Sequence, residues 1–311
     1  MKISVAICTW NRSRLLRQTL DSIAAADHSQ VDNWELIVVD NNSTDDTPAV
    51  VAEFEARLPI VYAQETMQGH SASRNRAIEL ATGDLIVWTD NDVIVDSDWL
   101  SAYRSAADRW PKSAFFGGVI EPVFESPKPA WLEETWEKCK PVYAARDLGE
   151  EEFALAANQF PYGANFAVRS EVQREFKFDT LVGRVSGSLV GEDEIDLLRR
   201  ITAAGYAGTW VPTAKVQHYI PDDRVTTKYV RDYFVGQGVA NVLNDKATFF
   251  SPFRARWSAW HNWICFKLKQ KSKSPDEWVS HLICSGIAQG EYLQFKTTTK
   301  RTQKSEGGKN E

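Results

Sequence analysis

Two aspartates, Asp90 and Asp92, stand two residues apart just beyond the apolar run DLIVWT, with Asn91 between them. If the chain stays extended there, both carboxylates project the same way. They can then share a hard divalent cation, Mn2+ or Mg2+, whose remaining positions bind diphosphate oxygens. A cation so placed acts as a Lewis acid on charge that builds on a leaving group. The bland alternative is a solvated turn, because Asp96 and Asp98 continue the polar stretch. Farther along, Gly191-Glu192-Asp193 opens a helix. Carboxylates at a helix N-terminus are favoured by ~0.3–1 kcal/mol, so capping alone accounts for them. An ionised carboxylate there could also accept a hydroxyl proton, which is general-base work.

Two further strings carry polar groups of the right type. Ser71-Ala72-Ser73-Arg74-Asn75-Arg76 begins a helix. Arg74 near its N-terminus could contact phosphate together with backbone N–H groups, or could be an exposed arginine on a surface helix. Asp40-Asn41-Asn42-Ser43 closes another apolar run. Asp40 could accept an N–H of a nucleobase, while Asn42 and Ser43 equally suit a turn and a cap.

The elements that must position these groups alternate. Residues 3–8 are a continuous apolar run, followed by a helical pattern with Leu16, Leu20 and Ile23 on one face. Residues 35–40 (ELIVVD), 60–63 and 84–89 read as strands, with a helix from about residue 71 to 81 before the last. Near-continuous apolar strands separated by helices predict an α/β fold, a mostly parallel sheet flanked by helices. Ligands bind such sheets beyond the carboxyl ends of the strands, where Thr9, Asp40 and Asp90 fall. After Pro111 the alternation loosens, and residues 121–141, rich in Pro and Trp, read as a loop over the sheet. Residues 165–168 read as a strand, 192–204 as a helix ended by Gly205, and 206–211 and 214–219 as two strands. From Thr226 onward the pattern is helical.

Composition sets outer bounds. The 311 residues are 43% apolar and 25% charged, which suits a globular protein. A net charge of −6 gives no reason to expect a nucleic-acid partner. Four scattered cysteines with no paired spacing favour a reducing compartment and no structural zinc. No apolar stretch approaches the ~20 residues of a membrane span. The expectation is a cytoplasmic location, with peripheral contact at the inner face of the membrane open. Oligomeric state is left open by the sequence.

Taken in order, VAICTWNR at 5–12, ELIVVDNNSTDDT at 35–47, GHSASRNRAIELATGDLIVWTDND at 69–92, and GANFAVRS with GEDEIDLL within 163–198 resemble the family 2 glycosyltransferases of the GT-A fold. Each string is weak alone; five pieces in sequence are specific. The resemblance implies inverting transfer of a sugar, by single displacement, from a nucleotide-diphosphate donor to an acceptor hydroxyl. A UDP-sugar is the expected donor, a glycan or lipid-linked molecule the expected acceptor, and surface polysaccharide or glycolipid assembly the setting. It further implies that Thr9, Trp10 and Asn11 border the nucleoside, Asp40 binds the base, and Arg74 approaches the diphosphate. Asn42 and Asn91 join this substrate-binding group. Asp90 and Asp92 would hold the cation, completed by His218 in AKVQHYI. Asp193 would be the base, Glu192 would orient the acceptor, and Asn165 would line the acceptor side. Two positions depart from the family's habit: Asn91 stands where Ala or an acidic residue is common, and Trp10 where Tyr is.

The expected organisation is a catalytic domain over residues 1–222, its nucleotide-binding part ending near 95 and its acceptor part spanning 96–222. A helical C-terminal region follows over 223–296, then a disordered tail over 297–311. Within the helical region Trp257, Trp260, Ile264 and Leu268 recur at helical spacing, with Lys267, Lys269, Lys271 and Lys273 close by. This pattern suits a helix packed on a protein surface, or one lying on a membrane. Two other functions compete. A sugar-phosphate nucleotidyltransferase needs a glycine-rich loop after the first strand, and TWNRSR has no glycine. A catalytically silent sugar-binding relative would have lost the paired carboxylates or the GED acid, and all are present.

Overall fold

The continuous apolar runs of the N-terminal half fold into strands buried on both faces. The computed structural model describes residues 1–180, 193–243, 246–249, 251–271 and 273–307, the last nine by their backbone alone. Its first elements are β1 (Ile3–Thr9), α1 (Ser13–Ala25), β2 (Trp34–Asp40), α2 (Thr47–Phe54), β3 (Ile60–Gln64), α3 (His70–Leu80) and β4 (Leu85–Thr89). Then come β5 (Val93–Val95), α4 (Trp99–Arg109), β6 (Ser113–Phe124), α5 (Ala130–Glu134), α6 (Trp136–Cys139), β7 (Phe153–Ala154), β8 (Asn165–Arg169), α7 (Ser170–Glu175), α8 (Asp193–Ala203) and β9 (Ala207–Ile220). Three helices finish the chain: α9 (Thr227–Leu243), α10 (Pro252–Lys269) and α11 (Pro275–Gly307).

One mixed sheet has the order β3-β2-β1-β4-β8-β6-β9-β5, with β7 paired to β9. The parallel expectation holds for β1 to β4; β8 then runs antiparallel to β4 and begins the second half. Alternate side chains sort to opposite faces. Val5, Ile7, Leu36 and Val38 pack toward α1, α2 and α4. Ala6, Ile37, Val39, Ile86 and Trp88 pack with residues of α3 and α8. Trp88, Trp99 and Trp210 are fully buried, so these tryptophans serve packing.

Three expectations are corrected. Residues 113–124 form a strand where the alternation loosens, because Gly118 lets β6 approach its neighbours. A Cβ there would meet the Ala214 carbonyl at 2.1 Å and Asn165 Nδ2 at 2.5 Å. Residues 206–219 give one strand rather than two, since Pro212 interrupts a hydrogen bond without turning the chain. Finally, α11 continues past Thr297 to Gly307, through Thr, Lys, Gln, Ser and Glu residues with no proline to stop it.

The described residues divide into two compact units. Residues 1–123, 143–180 and 193–219 form the first, and residues 124–142 with those from 220 onward form the second. In the second, the buried Glu291 of α11 accepts backbone N–H bonds from Thr248 at 2.7 Å and Phe249 at 2.9 Å, which fixes the approach to α10.

Candidate active site

Strand register brings the candidate residues to one edge of the sheet. Thr9 pairs with Asp40 across β1 and β2, Ile7 with Thr89 across β1 and β4, and Thr89 with Asn165 across β4 and β8. Asp90 follows Thr89 directly. Val93 pairs with His218, which sets His218 beside Asp92.

At the centre is Arg74, on the second turn of α3 and almost wholly buried. Its guanidinium lies over the rings of Phe178 at 5.0 Å and of Trp88 and Phe166, each at 5.8 Å. A buried cation requires carboxylate partners. Nη1 donates to Asp193 Oδ2 at 3.1 Å and lies 3.6 Å from Glu194 Oε2, while Nη2 is 4.0 Å from Asp90 Oδ1. Arg74 therefore clamps three carboxylates together, rather than standing open toward a ligand. Gly163 is part of the clamp: a Cβ at that position would meet Arg74 Nη2 at 2.7 Å, and its N–H donates to Glu194 Oε1 at 3.2 Å.

Asp193 opens α8, where the helix dipole favours a negative charge. Burial by itself would raise its pKa, but the Arg74 charge and then His70 outweigh burial and hold the carboxyl far below the usual range. His70 Nδ1 is 3.3 Å from Asp193 Oδ2. Glu194 behaves in the opposite way. Burial and the adjacent Asp193 charge push it up to about 7, against the pull of Arg74. Cys8 is pushed up to about 12 by burial, with Arg74 opposing and Asp90 and Asp193 adding to it; its thiol stays protonated and is no nucleophile.

The two acids of the DxD pair part company. Asp92 Oδ2 accepts from Arg12 Nη1 at 2.8 Å, and Asp92 Oδ1 lies 3.5 Å from His218 Nε2. His218 Nδ1 is 3.1 Å from the Tyr143 carbonyl. A carbonyl only accepts, so Nδ1 is the donor in that contact, and Nε2 is the ring nitrogen turned to Asp92. Asp90 instead faces Arg74. The premise of an extended chain fails, because Asn91 and Asp92 form a turn. Among the described residues no group of three metal-ligating side chains is assembled. Asn91 Nδ2 donates to Thr9 Oγ1 at 2.8 Å, which ties the turn to β1.

Asp40 is completely buried; its Oδ1 accepts from the Ser43 N–H at 2.8 Å and its Oδ2 from the Tyr62 hydroxyl at 2.9 Å. Burial and then this bond push the Tyr62 phenol up to about 12. Asn11 and Asn42 adopt left-handed backbone conformations, with φ of 51° and 64°. Asn11 joins the loops after β1 and β2, donating its N–H to Ser43 Oγ at 2.9 Å and accepting from the Thr44 N–H at 2.7 Å. Asn42 Nδ2 donates to the Thr66 carbonyl at 2.9 Å. Trp10, 41% exposed, offers an open aromatic face at the same edge.

Asn165 departs from its expected role. Its Nδ2 donates to the Val119 and Ala214 carbonyls, and its Oδ1 accepts from Trp99 Nε1 and the Tyr103 hydroxyl, all at 2.8 Å. A fully buried amide with every position met is a clamp between strands and α4, not a lining group. Glu192 lies outside the described residues.

Sequence reasoning missed Arg12, Asn41, Tyr62, His70 and Glu194. Arg12, Asn41, His70 and Glu194 stood inside strings already quoted, but nothing in their spacing marked them. Asn41 is buried and holds the loop before α3 by accepting from the Gly69 N–H at 2.8 Å and donating to the Met67 carbonyl at 2.8 Å.

Known proteins bear on this arrangement. The chain is 25% identical over 207 residues to the glucosyl-dolichyl phosphate glucuronosyltransferase of Haloferax volcanii, covering 65% of this chain and 63% of that protein. It thus spans less than two thirds of that relative. It is 24% identical over 255 residues to the succinoglycan biosynthesis protein ExoM of Rhizobium meliloti, covering 79% and 77%. Among solved structures it shares its fold with S. aureus TarS in complex with UDP-GlcNAc, at a TM-score of 0.56, 17% identity, and coverage of 80% of this chain and 68% of that one. The mannosyltransferase PcManGT from Pyrobaculum calidifontis, in complex with GDP-Man and Mn2+, gives a TM-score of 0.54 at 20% identity, over 92% and 69%. The model of glycosyl transferase family 2 matches residues 4–165, more than half of the sequence. With that match, on a sheet whose edge gathers Asp90, Asp193, Glu194 and Arg74, this chain belongs to glycosyl transferase family 2.

Proposed function

We propose that the protein moves a sugar from a nucleotide-diphosphate donor, expected to be a UDP-sugar, to a hydroxyl of a glycan or lipid-linked acceptor, with inversion at the anomeric carbon. The observation that carries this reading is the Arg74 cluster: Asp90 and the distant neighbours Asp193 and Glu194 gathered around one buried guanidinium at the ligand-binding edge of the sheet.

Asp193 is the base. Held ionised by Arg74, it accepts the acceptor's proton as the hydroxyl oxygen bonds to the anomeric carbon and the bond to the diphosphate breaks on the opposite face. The field that keeps it ionised also weakens it as a base. Proton transfer therefore gains driving force late, once the attacking oxygen has become acidic by giving up electron density. Arg74 acts through Asp193, fixing its charge and position, and Asp40, Trp10 and Asn11 serve the nucleoside. A second assignment has one observation in its favour: Glu194 Oε2 stands 3.6 Å from the same Arg74 Nη1, and burial beside the Asp193 charge makes it the more basic carboxylate of the two. Comparing Asp193→Asn with Glu194→Gln separates the two.

Asp92 Oδ1 and His218 Nε2, 3.5 Å apart, are donors that suit a divalent cation, while Asp90 is turned to Arg74 and would join them only by leaving it. These three would hold Mn2+ or Mg2+, which when bound would offset charge on the leaving diphosphate. Arg12 holds Asp92 in place for this role, as a supporting partner of a ligand does. PcManGT is known with Mn2+, and TarS with UDP-GlcNAc. A thermal-shift screen with UDP, GDP, CDP and dTDP, each with and without Mn2+, tests donor class and cation together. The expected result is one nucleotide that stabilises strongly, and only with the metal. No shift with any of the four would overturn the reading.

A further inference from the structure

The second unit carries an apolar stripe turned outward. Phe253, Trp257, Trp260, Ile264 and Leu268 follow one another on α10 at intervals of four, three, four and four residues, which places them on a single face. Packing on the rest of the unit is done by other residues, for Ala255, Ala259 and Phe266 are the buried positions of this helix. The stripe itself meets solvent: Phe253 is 78% exposed, Trp257 57%, Trp260 61% and Leu268 68%. Isolated exposed apolar residues are ordinary; four large ones in a row on one helix face mark an interaction surface.

Charge identifies what the surface meets. Residues 252–273 contain six basic side chains, Arg254, Arg256, Lys267, Lys269, Lys271 and Lys273, and no acidic one, in a chain whose net charge is −6. At 3.6 residues per turn, Arg254 flanks the stripe on one side, and Arg256 and Lys267 on the other. Tryptophan and phenylalanine between flanking cations match the layering of a bilayer interface: rings at headgroup depth, cations toward anionic phosphates. No described helix is long and apolar enough to cross a membrane. A helix of this kind lies in the plane of the surface instead.

We propose that α10 docks the protein on anionic lipid bilayers, with Phe253, Trp257, Trp260, Ile264 and Leu268 inserted at the interface and the flanking Arg and Lys side chains on lipid phosphates. The inference rests on the second unit alone and is independent of the transfer chemistry. It would place the enzyme at a surface, where an acceptor with a lipid anchor would be met.

The test is flotation of the full chain with vesicles of phosphatidylcholine alone and of equimolar phosphatidylcholine and phosphatidylglycerol. Three proteins are compared: the wild type, Trp257→Ser with Trp260→Ser, and Arg254→Gln with Lys271→Gln. The wild type floats with the anionic vesicles, less so in high salt, and not with the neutral ones. Each cation near such a surface contributes a factor of about five, so the basic double variant binds about thirtyfold more weakly. The tryptophan variant stays in the soluble fraction. Melting temperatures within the wild-type range show that both variants are folded. No flotation of the wild type, or equal flotation of all three, overturns the proposal. So does a wild-type dimer that the tryptophan variant turns into a monomer, because a second copy would then cover the stripe.

Discussion

Arg74 Nη1 stands 3.1 Å from Asp193 Oδ2, and both residues are shut away from water although 119 positions separate them. A pair this deep is costly to assemble and more costly to break. Removing one member leaves the other as an uncompensated buried charge. Arg74→Met should therefore lower stability by about 3–5 kcal/mol in urea unfolding. Arg74→Met combined with Asp193→Leu should recover much of the loss. A single variant as stable as the wild type would show that Asp193 finds another partner.

Asn165 was expected at the acceptor and is found instead between β6, β9 and α4 with four hydrogen bonds. Asn165→Ala leaves two buried carbonyls, an indole N–H and a phenol short of a partner. The expected cost is about 3 kcal/mol, judged from the penalty for unsatisfied buried groups. Unchanged stability with a raised KM for the acceptor would return Asn165 to substrate binding.

The parts of the fold that sequence exposed are those in which local pattern and tertiary role agree. β1, β2 and β4 are continuous apolar runs because both their faces are covered, and their polar ends mark the ligand edge. β6 was hidden because it needs Gly118 for close approach, and glycine reads locally as a break. In the site, the acids themselves were legible, and their company was not. Asp90 and Asp92 diverge because the chain turns between them, and the Arg74–Asp193 pairing depends on contacts across the whole first unit. Period and propensity carry no information of that range.

Glu35 gives the acid side of stability a specific origin. Burial would raise its carboxyl, but bonds from Lys2, Ser4 and Thr82 outweigh it and bring it from 4.5 to about 2. The folded form thus binds this proton less readily than the unfolded chain. The resulting stability is complete above pH 4.5 and lost as pH falls from 4.5 toward 2. Glu35→Gln should flatten that part of the stability profile. A wild-type slope retained in the variant would assign the acid sensitivity to other groups.

His218 is oriented by the Tyr143 carbonyl and aimed at Asp92. EDTA should suppress transfer and Mn2+ restore it. His218→Ala should raise the Mn2+ concentration needed for half-maximal rate by at least about 10-fold, since losing even a supporting group of a metal site costs that much and His218 is proposed as a ligand. An unchanged metal titration would make His218 a packing residue, and full turnover in EDTA would remove the role given to Asp90 and Asp92.

The central claim is that Asp193 takes the acceptor's proton. It is tested most directly by single-turnover release of nucleotide diphosphate by Asp193→Asn, with donor binding measured on the same sample by calorimetry. The account predicts a fall of about 10²–10⁴-fold in rate with donor affinity essentially unchanged. Transfer that survives in Asp193→Asn but is lost in Glu194→Gln, or a loss of donor affinity that matches the loss of rate, would contradict it.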